Sequence, residues 1–300
     1  MYCYKAYELV IQSEFPIPAF IPHPDAVADV TLRYGEVPNH LDQVEEARTE
    51  LYQCNAHQFL LKFDGVADYL VQNGQEIIIS PRGTPSDIQV FLLGGVMAAL
   101  LHQRELLVLH GAAFQAKAGA VVLCGVSGAG KSTLLNELLR RGYPMLVDDV
   151  CGVTFAGDQP LVLPGYPRTR LWLDSAQKLG QSVEGLERTR PSIEKYERQV
   201  PEQYCSQPAP LHKVYLLNPH NQDTITLETV PLIDGFGVIT HNTYGYGLLA
   251  GLARKSSHFK SVSAVAQRVP ICRVTRPSGH FLLTELADAI EQDLALSVEV

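Results

Sequence analysis

A glycine-rich run at positions 125–133, GVSGAGKST, constrains the fold more than any other feature of the sequence. It matches the pattern G-x-x-x-x-G-K-[ST], in which glycines let consecutive backbone N–H groups surround phosphate oxygens. The pattern requires a strand before it and a helix after it, because the helix N-terminus adds positive charge. Residues 120–124 are strand-like, residues 132–141 place leucines on one helical face, and Gly142 suits a helix end. The sequence therefore predicts a phosphate-binding loop.

This loop predicts nucleoside triphosphate chemistry. Lys131 is expected to reach the β- and γ-phosphates, and the Ser132 hydroxyl to coordinate Mg²⁺. The predicted nucleotide-binding residues are Gly125, Ser127, Gly128, Ala129, Gly130, Lys131, Ser132 and Thr133. ATP and Mg²⁺ are the cofactors that these residues indicate.

Two adjacent aspartates, Asp148 and Asp149, lie between strand-like runs at 145–147 and 151–155. A carboxylate beside the loop would hold the Mg²⁺ that accompanies a triphosphate, and a second could accept a hydroxyl proton. Adjacent residues of a regular strand face opposite sides, so both serve one site only if the strand ends there. The alternative is a pair that caps a surface turn.

His110 ends the apolar run at 106–110, which is predicted to lie next to the strand before the loop. It would then stand at the carboxyl edge of the sheet, where ligands bind in α/β folds. A packed, hydrogen-bonded histidine is the equally weighted alternative.

Arg168 and Arg170 are candidates for a phosphate clamp, since guanidinium groups match phosphoryl oxygens. A solvated loop or an ion pair with Asp174 is the competing interpretation. Weaker candidates of the same kind are Arg254, Lys255, Arg273 and Arg276.

The spacing of apolar residues and the positions of turn residues divide the chain at about residue 90. Residues 1–90 predict a small β-rich region, a possible site of acceptor recognition, and residues 91–300 an α/β nucleotide-binding domain. The predicted strands are 7–11, 28–34, 58–63, 76–80, 213–217 and 271–275, and the predicted helices are 89–103, 171–179 and 281–294. The polar residues 181–210 are predicted to be a long, mobile surface segment.

Composition argues against several classes of protein. A net charge of −8, from 32 acids and 24 bases, disfavours nucleic-acid and anionic-membrane partners. The six cysteines show no paired spacing, which indicates neither a zinc site nor a disulfide framework. The first residues lack the pattern of a signal peptide, and no uninterrupted apolar run reaches about 18 residues. We therefore expect a cytoplasmic location.

The segments LHGAAF, GVSGAGKST, LVDDV and PGYPRTRLWLDSAQKLG follow one another over about residues 100–180. This set resembles the kinase domain of HPr kinase/phosphorylase, and more closely the HPr-kinase-related proteins of lasso-peptide-type biosynthetic clusters. A looser likeness covers YKAYELVIQSEFPIP and ADVTLRYGEVP. The resemblance implies a P-loop fold of the phosphoenolpyruvate carboxykinase type and phosphate transfer from ATP to a serine hydroxyl.

Carried over by position, the resemblance implies that Asp148 is the general base and Asp149 the Mg²⁺-side acid. It makes His110 a polar neighbour of the reacting phosphate and keeps Lys131 and Ser132 in the loop. The family's E-x-R-G-x-G signature is missing after the acidic pair, so phosphorolysis, the reverse reaction of that family, is not expected. The cluster-encoded relatives imply a precursor peptide as acceptor, often modified at a terminal serine, and the hexameric HPr enzymes imply a homo-oligomer.

The sequence thus predicts an ATP-dependent kinase acting on a serine-type hydroxyl of a peptide or protein. The predicted catalytic residues are Asp148, Asp149, His110 and Lys131, with Ser132 and Asp149 on the metal. Two alternatives stay open: a kinase of a small hydroxylated molecule such as free serine, and an ATP-dependent sensor or scaffold that transfers no phosphate.

Overall fold

The computed structural model describes residues 1–24, 26–42, 46–49, 51–190, 193–221, 223–278 and 281–296. These residues build a mixed α/β fold with a nine-stranded, a seven-stranded and a three-stranded sheet. The two largest clusters of buried apolar side chains are one that runs from the first sheet into the second and one around the helix after the glycine-rich loop.

The first sheet contains the first nine strands, in the order β3-β1-β2-β4-β9-β8-β7-β6-β5. Their bounds are β1 Tyr2–Ala6, β2 Leu9–Ser13, β3 Ile21–Pro22, β4 Val30–Tyr34, β5 Glu46–Thr49, β6 Tyr52–Cys54, β7 Gln58–Phe63, β8 Ala67–Gln72 and β9 Glu76–Pro81. The predicted strand at 7–11 is wrong at its start, because Tyr7 and Glu8 have φ angles of 54° and 61°. Two left-handed residues make the tight turn between β1 and β2.

One long helical stretch connects the first two sheets and runs across residue 90, where the sequence places the domain boundary. It consists of α1 Pro85–Phe91, a π-helical turn Leu92–Val96 and α2 Met97–Gln103. Thr84 caps its start by accepting a hydrogen bond from the Asp87 backbone, and Gly94 is non-helical and kinks it. Within the described residues this is the one helix long and apolar enough to cross a membrane, and 61% of its most apolar window is buried inside the protein.

The second sheet has the order β11-β10-β12-β13-β17-β19-β18, and β11 also pairs with β17. Its strands are β10 Leu107–Ala116, β11 Gly119–Cys124, β12 Met145–Ala156, β13 Gln159–Val162, β17 Ala209–His220, β18 Thr226–Thr229 and β19 Ile271–Pro277. The extra pairing closes β11, β10, β12, β13 and β17 into a ring. β11 is antiparallel to β10 and parallel to β17, so the sheet is mixed.

A small third sheet contacts β12 through its first strand and has the order β14-β16-β15, with β14 Arg168–Trp172, β15 Arg188–Arg190 and β16 Ile193–Gln199. The helices of this part of the chain are α3 Lys131–Arg140, α4 Leu173–Lys178, α5 Leu232–His241, α6 Leu248–Gly251, α7 Lys255–Arg268 and α8 Leu283–Leu296, with a 3₁₀ turn at Pro201–Gln203.

Two sequence expectations fail in this region. The sequence predicts a long, mobile surface segment at residues 181–210, whereas the structure forms β15, β16 and the start of β17 there. Residues 191 and 192 lie outside the described part. The helix predicted at 171–179 begins only at Leu173, because the two residues before it belong to β14. Polar strands in a small sheet lack the apolar alternation that marks a strand in sequence.

The turn between β1 and β2 ties the first sheet to β12. Tyr7 is 1% exposed, and its hydroxyl donates to the carbonyl of Val150 at 2.9 Å. The backbone N–H of Tyr7 donates to the carbonyl of Pro164 at 2.8 Å. The N-terminal hairpin therefore braces the strand that carries the acidic pair.

Replacing Tyr7 by phenylalanine is expected to destabilise the fold by about 1–3 kcal/mol, because a buried carbonyl loses its donor. Tyr2→Phe is the matched control, since Tyr2 is 45% exposed. Urea unfolding of both variants measures the effect as a change in midpoint. Equal midpoints for the two variants would show that the Tyr7 hydrogen bond does not stabilise the fold.

Candidate active site

A cavity of about 450 Å³ lies where β11 ends and α3 begins. The predicted site residues in its wall are His110, Ser127, Gly128, Gly130, Lys131, Ser132, Thr133, Asp148 and Asp149. Gly125, Ala129, Arg168 and Arg170 are not among the described wall residues. The fold thus brings together residues that lie as much as 39 positions apart in the sequence.

The loop before α3 is shaped as an anion cradle. Gly125 has a φ of 141°, and a Cβ there would lie 2.6 Å from the carbonyl oxygen of Leu217, so a side chain does not fit. Gly128 also has a positive φ, of 83°, but faces open space. Gly130 is the N-cap of α3 and provides no side-chain hydrogen bond to the first turn. The N–H groups of that turn are therefore left for an anion.

Lys131 lies over this loop and is 8% exposed. Its Nζ donates to the carbonyls of Gly125 at 2.7 Å and Val126 at 3.2 Å. Burial lowers the pKa of the ammonium, and the nearby acids oppose that shift. The lysine thus holds the loop closed from within.

Asn242, a residue that sequence reasoning missed, braces the start of the loop. Its side-chain oxygen accepts from the backbone N–H of Gly125 at 2.9 Å, and its carbonyl accepts from the N–H of His110 at 2.7 Å. The loop and β10 are therefore fixed to each other through one residue that follows α5. No local sequence pattern marks it, because both contacts are tertiary.

Asp148 is 5% exposed and lies against the start of α3. Its Oδ1 accepts from the Ser132 hydroxyl at 2.9 Å, and its Oδ2 accepts from the Arg170 backbone N–H at 3.0 Å. Burial raises the pKa of this carboxyl, and the two hydrogen bonds act in the opposite direction. The acid nearer to the loop serine is thus Asp148.

Asp149 reaches the same cavity although β12 does not end at the acidic pair. Its φ of 89° is left-handed, which interrupts the alternation of side chains along the strand. Its Oδ1 lies 3.4 Å from Nε2 of His110, and its Oδ2 accepts from Nη1 of Arg170 at 2.9 Å. Burial opposes ionisation, but His110 and Arg170 outweigh it and hold the pKa of Asp149 well below its ordinary value.

His110 lies within β10 rather than at its end, which corrects the sequence expectation. The neighbouring Gly111 pairs with Cys124, the last residue of β11, so His110 stands just beyond that strand end. The centroid of its ring lies 5.3 Å from that of the Tyr244 ring. The His110 side chain is 38% exposed and lines the cavity.

The two arginines predicted as a phosphate clamp form ion pairs with carboxylates of the protein. Arg168 is 3% exposed and donates to Glu197 at 2.5 Å, while Arg170 pairs with Asp149 and Glu197. Neither arginine forms a described ion pair with Asp174, whose Oδ2 instead lies 3.7 Å from Nζ of Lys178. The Arg170 guanidinium thus binds a carboxylate of the acidic pair, and the Arg168 guanidinium joins β14 to β16.

Other cations line the cavity in their place: Lys178 on α4, Lys195 on β16 and Arg276 at the end of β19. Arg276 donates to the carbonyl of Ala129 through Nη2 at 2.8 Å and Nε at 3.0 Å. Arg276 was a weak candidate from sequence, and Lys178 and Lys195 were missed. Lys195 was missed because it lies in residues 181–210, which the sequence predicts to be a mobile surface segment.

These residues fit a nucleoside triphosphate with its Mg²⁺. The cradle offers N–H donors, four cations line the cavity, and its volume lies in the range of small-molecule sites. In the part of the chain described, no group of three or more His, Cys, Asp or Glu side chains could hold a metal ion. Mg²⁺ beside phosphates needs only one or two carboxylates from the protein. Asp148 would supply one carboxylate, and the Ser132 hydroxyl next to it would be a second protein ligand.

Neither the protein-family models nor the curated protein sequences contain a match to this chain. Among solved structures, the fold is similar to the Hpr(Ser) kinase/phosphatase from Coxiella burnetii, with a TM-score of 0.33 and 11% sequence identity. The match covers 64% of this chain and 99% of that chain. A similarity this distant gives no basis for transferring activity.

Proposed function

We propose that this chain is a P-loop kinase of the HPr-kinase type that transfers the terminal phosphate of ATP to a serine-type hydroxyl of a peptide or protein. The observation that carries the proposal is the 2.9 Å hydrogen bond from Ser132 to Asp148. It joins the phosphate loop to an acidic strand, and the two acids and His110 share one cavity with the loop. A site that only binds MgATP needs one acid beside the metal, and it has no need of a second acid that contacts a histidine, as Asp149 contacts His110.

In this proposal the loop N–H groups and Lys131 bind the phosphates, and Ser132 and Asp148 hold Mg²⁺. Bound there, Mg²⁺ would neutralise charge that develops on the phosphate oxygens. This division reverses the one that the resemblance implies, because Asp148, not Asp149, contacts the loop serine. Burial raises the pKa of Asp148, but a divalent cation favours the charged form of a neighbouring carboxyl.

His110 and Asp149 are left to face the acceptor. Asp149 is anionic and lies 3.4 Å from the imidazole, an arrangement in which a carboxylate orients a histidine as proton acceptor. We assign the acceptor proton to this pair as a unit. The β-rich N-terminal region and residues 181–210 stay our proposed acceptor-binding elements, the latter because Lys195 brings that segment to the cavity wall.

Intact-mass spectrometry tests the acceptor class. The protein is mixed with MgATP and a synthetic peptide ending in serine, with the same peptide ending in alanine as control and free serine in parallel. We expect a gain of about 80 Da, the mass of HPO₃, on the serine peptide alone. Modification of free serine alone would establish the small-molecule kinase, and ATP binding or hydrolysis without a phosphorylated product would establish the sensor.

A further inference from the structure

Lys195 differs from the other cations in the cavity wall. Lys131 and Arg276 donate to carbonyls of the phosphate loop, and Lys178 lies 3.7 Å from Asp174. Among the described residues, Lys195 has neither a hydrogen bond nor an ion pair, although it lines the cavity. An ammonium group at the wall of a cavity with its donors unused has the chemistry of an anion ligand.

Trp172 holds the lysine in place. The two residues are direct neighbours across β14 and β16, and the Lys195 ammonium lies 5.7 Å from the centroid of the Trp172 ring. This cation–π distance fixes the stem of a side chain that would otherwise have many rotamers. Burial acts most strongly on the pKa of both Asp148 and Asp149 and raises it, while the positive charge of Lys195 acts to lower the pKa of each.

We propose that Lys195 is a catalytic residue that contacts the transferring phosphoryl group, with Trp172 as its positioning residue. This inference rests on the proposed kinase function. In that step the bond between the terminal phosphorus and its bridging oxygen breaks, and its electron pair leaves with the nucleoside diphosphate. The acceptor oxygen forms the new bond to phosphorus, and its proton passes to the His110–Asp149 pair.

The expected effect of Lys195 is confined to the transition state. Charge moves onto the phosphoryl and bridging oxygens as the bond breaks, and a fixed cation there stabilises that distribution more than the ground state. Lys195→Met keeps the length of the stem and removes the charge. Lys195→Arg restores a charge, and Arg198→Met on the same strand is the control, because Arg198 contacts Gln181 and is not among the described wall residues.

Trp172 is the single tryptophan of the chain and lines the cavity, so we expect its fluorescence to change when nucleotide binds. Lys195→Met is expected to lower kcat about 100-fold and to weaken ADP with aluminium fluoride, a transition-state analogue, by a similar factor. ATP affinity should change by less than about threefold, because ground-state binding is retained. Lys195→Arg should recover part of kcat, and Arg198→Met should leave it unchanged.

Three outcomes among the variants would overturn the assignment. A kcat for Lys195→Met close to that of the unmodified protein would remove Lys195 from the step. A raised KM for the acceptor at unchanged kcat would make it a binding residue only, and an equal loss in Arg198→Met would show a general defect of the small sheet. If the unmodified protein itself transfers no phosphate, the proposed function fails, and the inference fails with it.

Discussion

Lys131→Ala is expected to abolish phosphate transfer, with kcat lowered at least about 1,000-fold, because the loop loses both its charge and its internal donor. ATP should bind about 10- to 100-fold more weakly, since a hydrogen bond to a charged group contributes about 1.5–3 kcal/mol. Trp172 fluorescence measures the affinity, and acceptor mass measures the transfer. Both readouts depend on the same cavity.

Lys117→Ala is the matched control for this variant. Lys117 is an exposed lysine in the turn between β10 and β11, and its replacement removes one positive charge without touching the cavity. It should leave kcat and ATP affinity unchanged. If Lys131→Ala retains normal kinetics, the phosphate loop has no part in the mechanism. Thermal unfolding of both variants separates a lost ligand contact from a lost fold.

The two aspartate variants are expected to fail in different ways. Asp148→Asn should lose the enhancement of ATP affinity by Mg²⁺, because its carboxylate lies against the Ser132 hydroxyl. Asp149→Asn should keep that enhancement and still lower transfer about 100- to 10,000-fold, because the proton-accepting pair is broken. The measurement is ATP affinity with and without Mg²⁺, from Trp172 fluorescence, beside the rate of transfer.

The opposite result would support the roles that the resemblance implies, with Asp148 as the general base and Asp149 as the acid beside Mg²⁺. In that case Asp149→Asn would lose the response to Mg²⁺, and Asp148→Asn would bind MgATP normally without transferring phosphate. Arg168→Met serves as a control for the buried ion pairs, since Arg168 contacts Glu197 and neither aspartate. Its activity loss, if any, should follow its loss of stability.

The strand and the helix on either side of the glycine-rich loop were predictable because their signals are local. The strand, the glycine-rich turn and the helix follow each other within residues 119–140, and each is encoded by neighbouring residues. The acidic pair was also found, since two acids after an apolar run are visible in sequence. How both reach one cavity was not predictable, because it depends on the left-handed backbone of Asp149 within a continuous strand.

The rest of the site depends on contacts between distant parts of the chain. Asn242 reaches the loop from 117 positions away, and Lys195 reaches the cavity through a polar strand that shows no apolar alternation. The ion pairs of the two predicted clamp arginines were hidden for the same reason: Arg168 and Arg170 have the right chemistry for phosphate, and only the fold shows that Glu197 and Asp149 pair with them.

If the chain is a kinase, phosphate moves from ATP to an acceptor hydroxyl in this cavity. Phosphorus NMR of one reaction, with MgATP and the serine-ending peptide, follows ATP, ADP, free phosphate and phosphoester together. We expect ADP and phosphoester to appear in equal amounts, with free phosphate no higher than in the Lys131→Ala reaction. ADP matched by free phosphate, or ATP left unchanged, would contradict it.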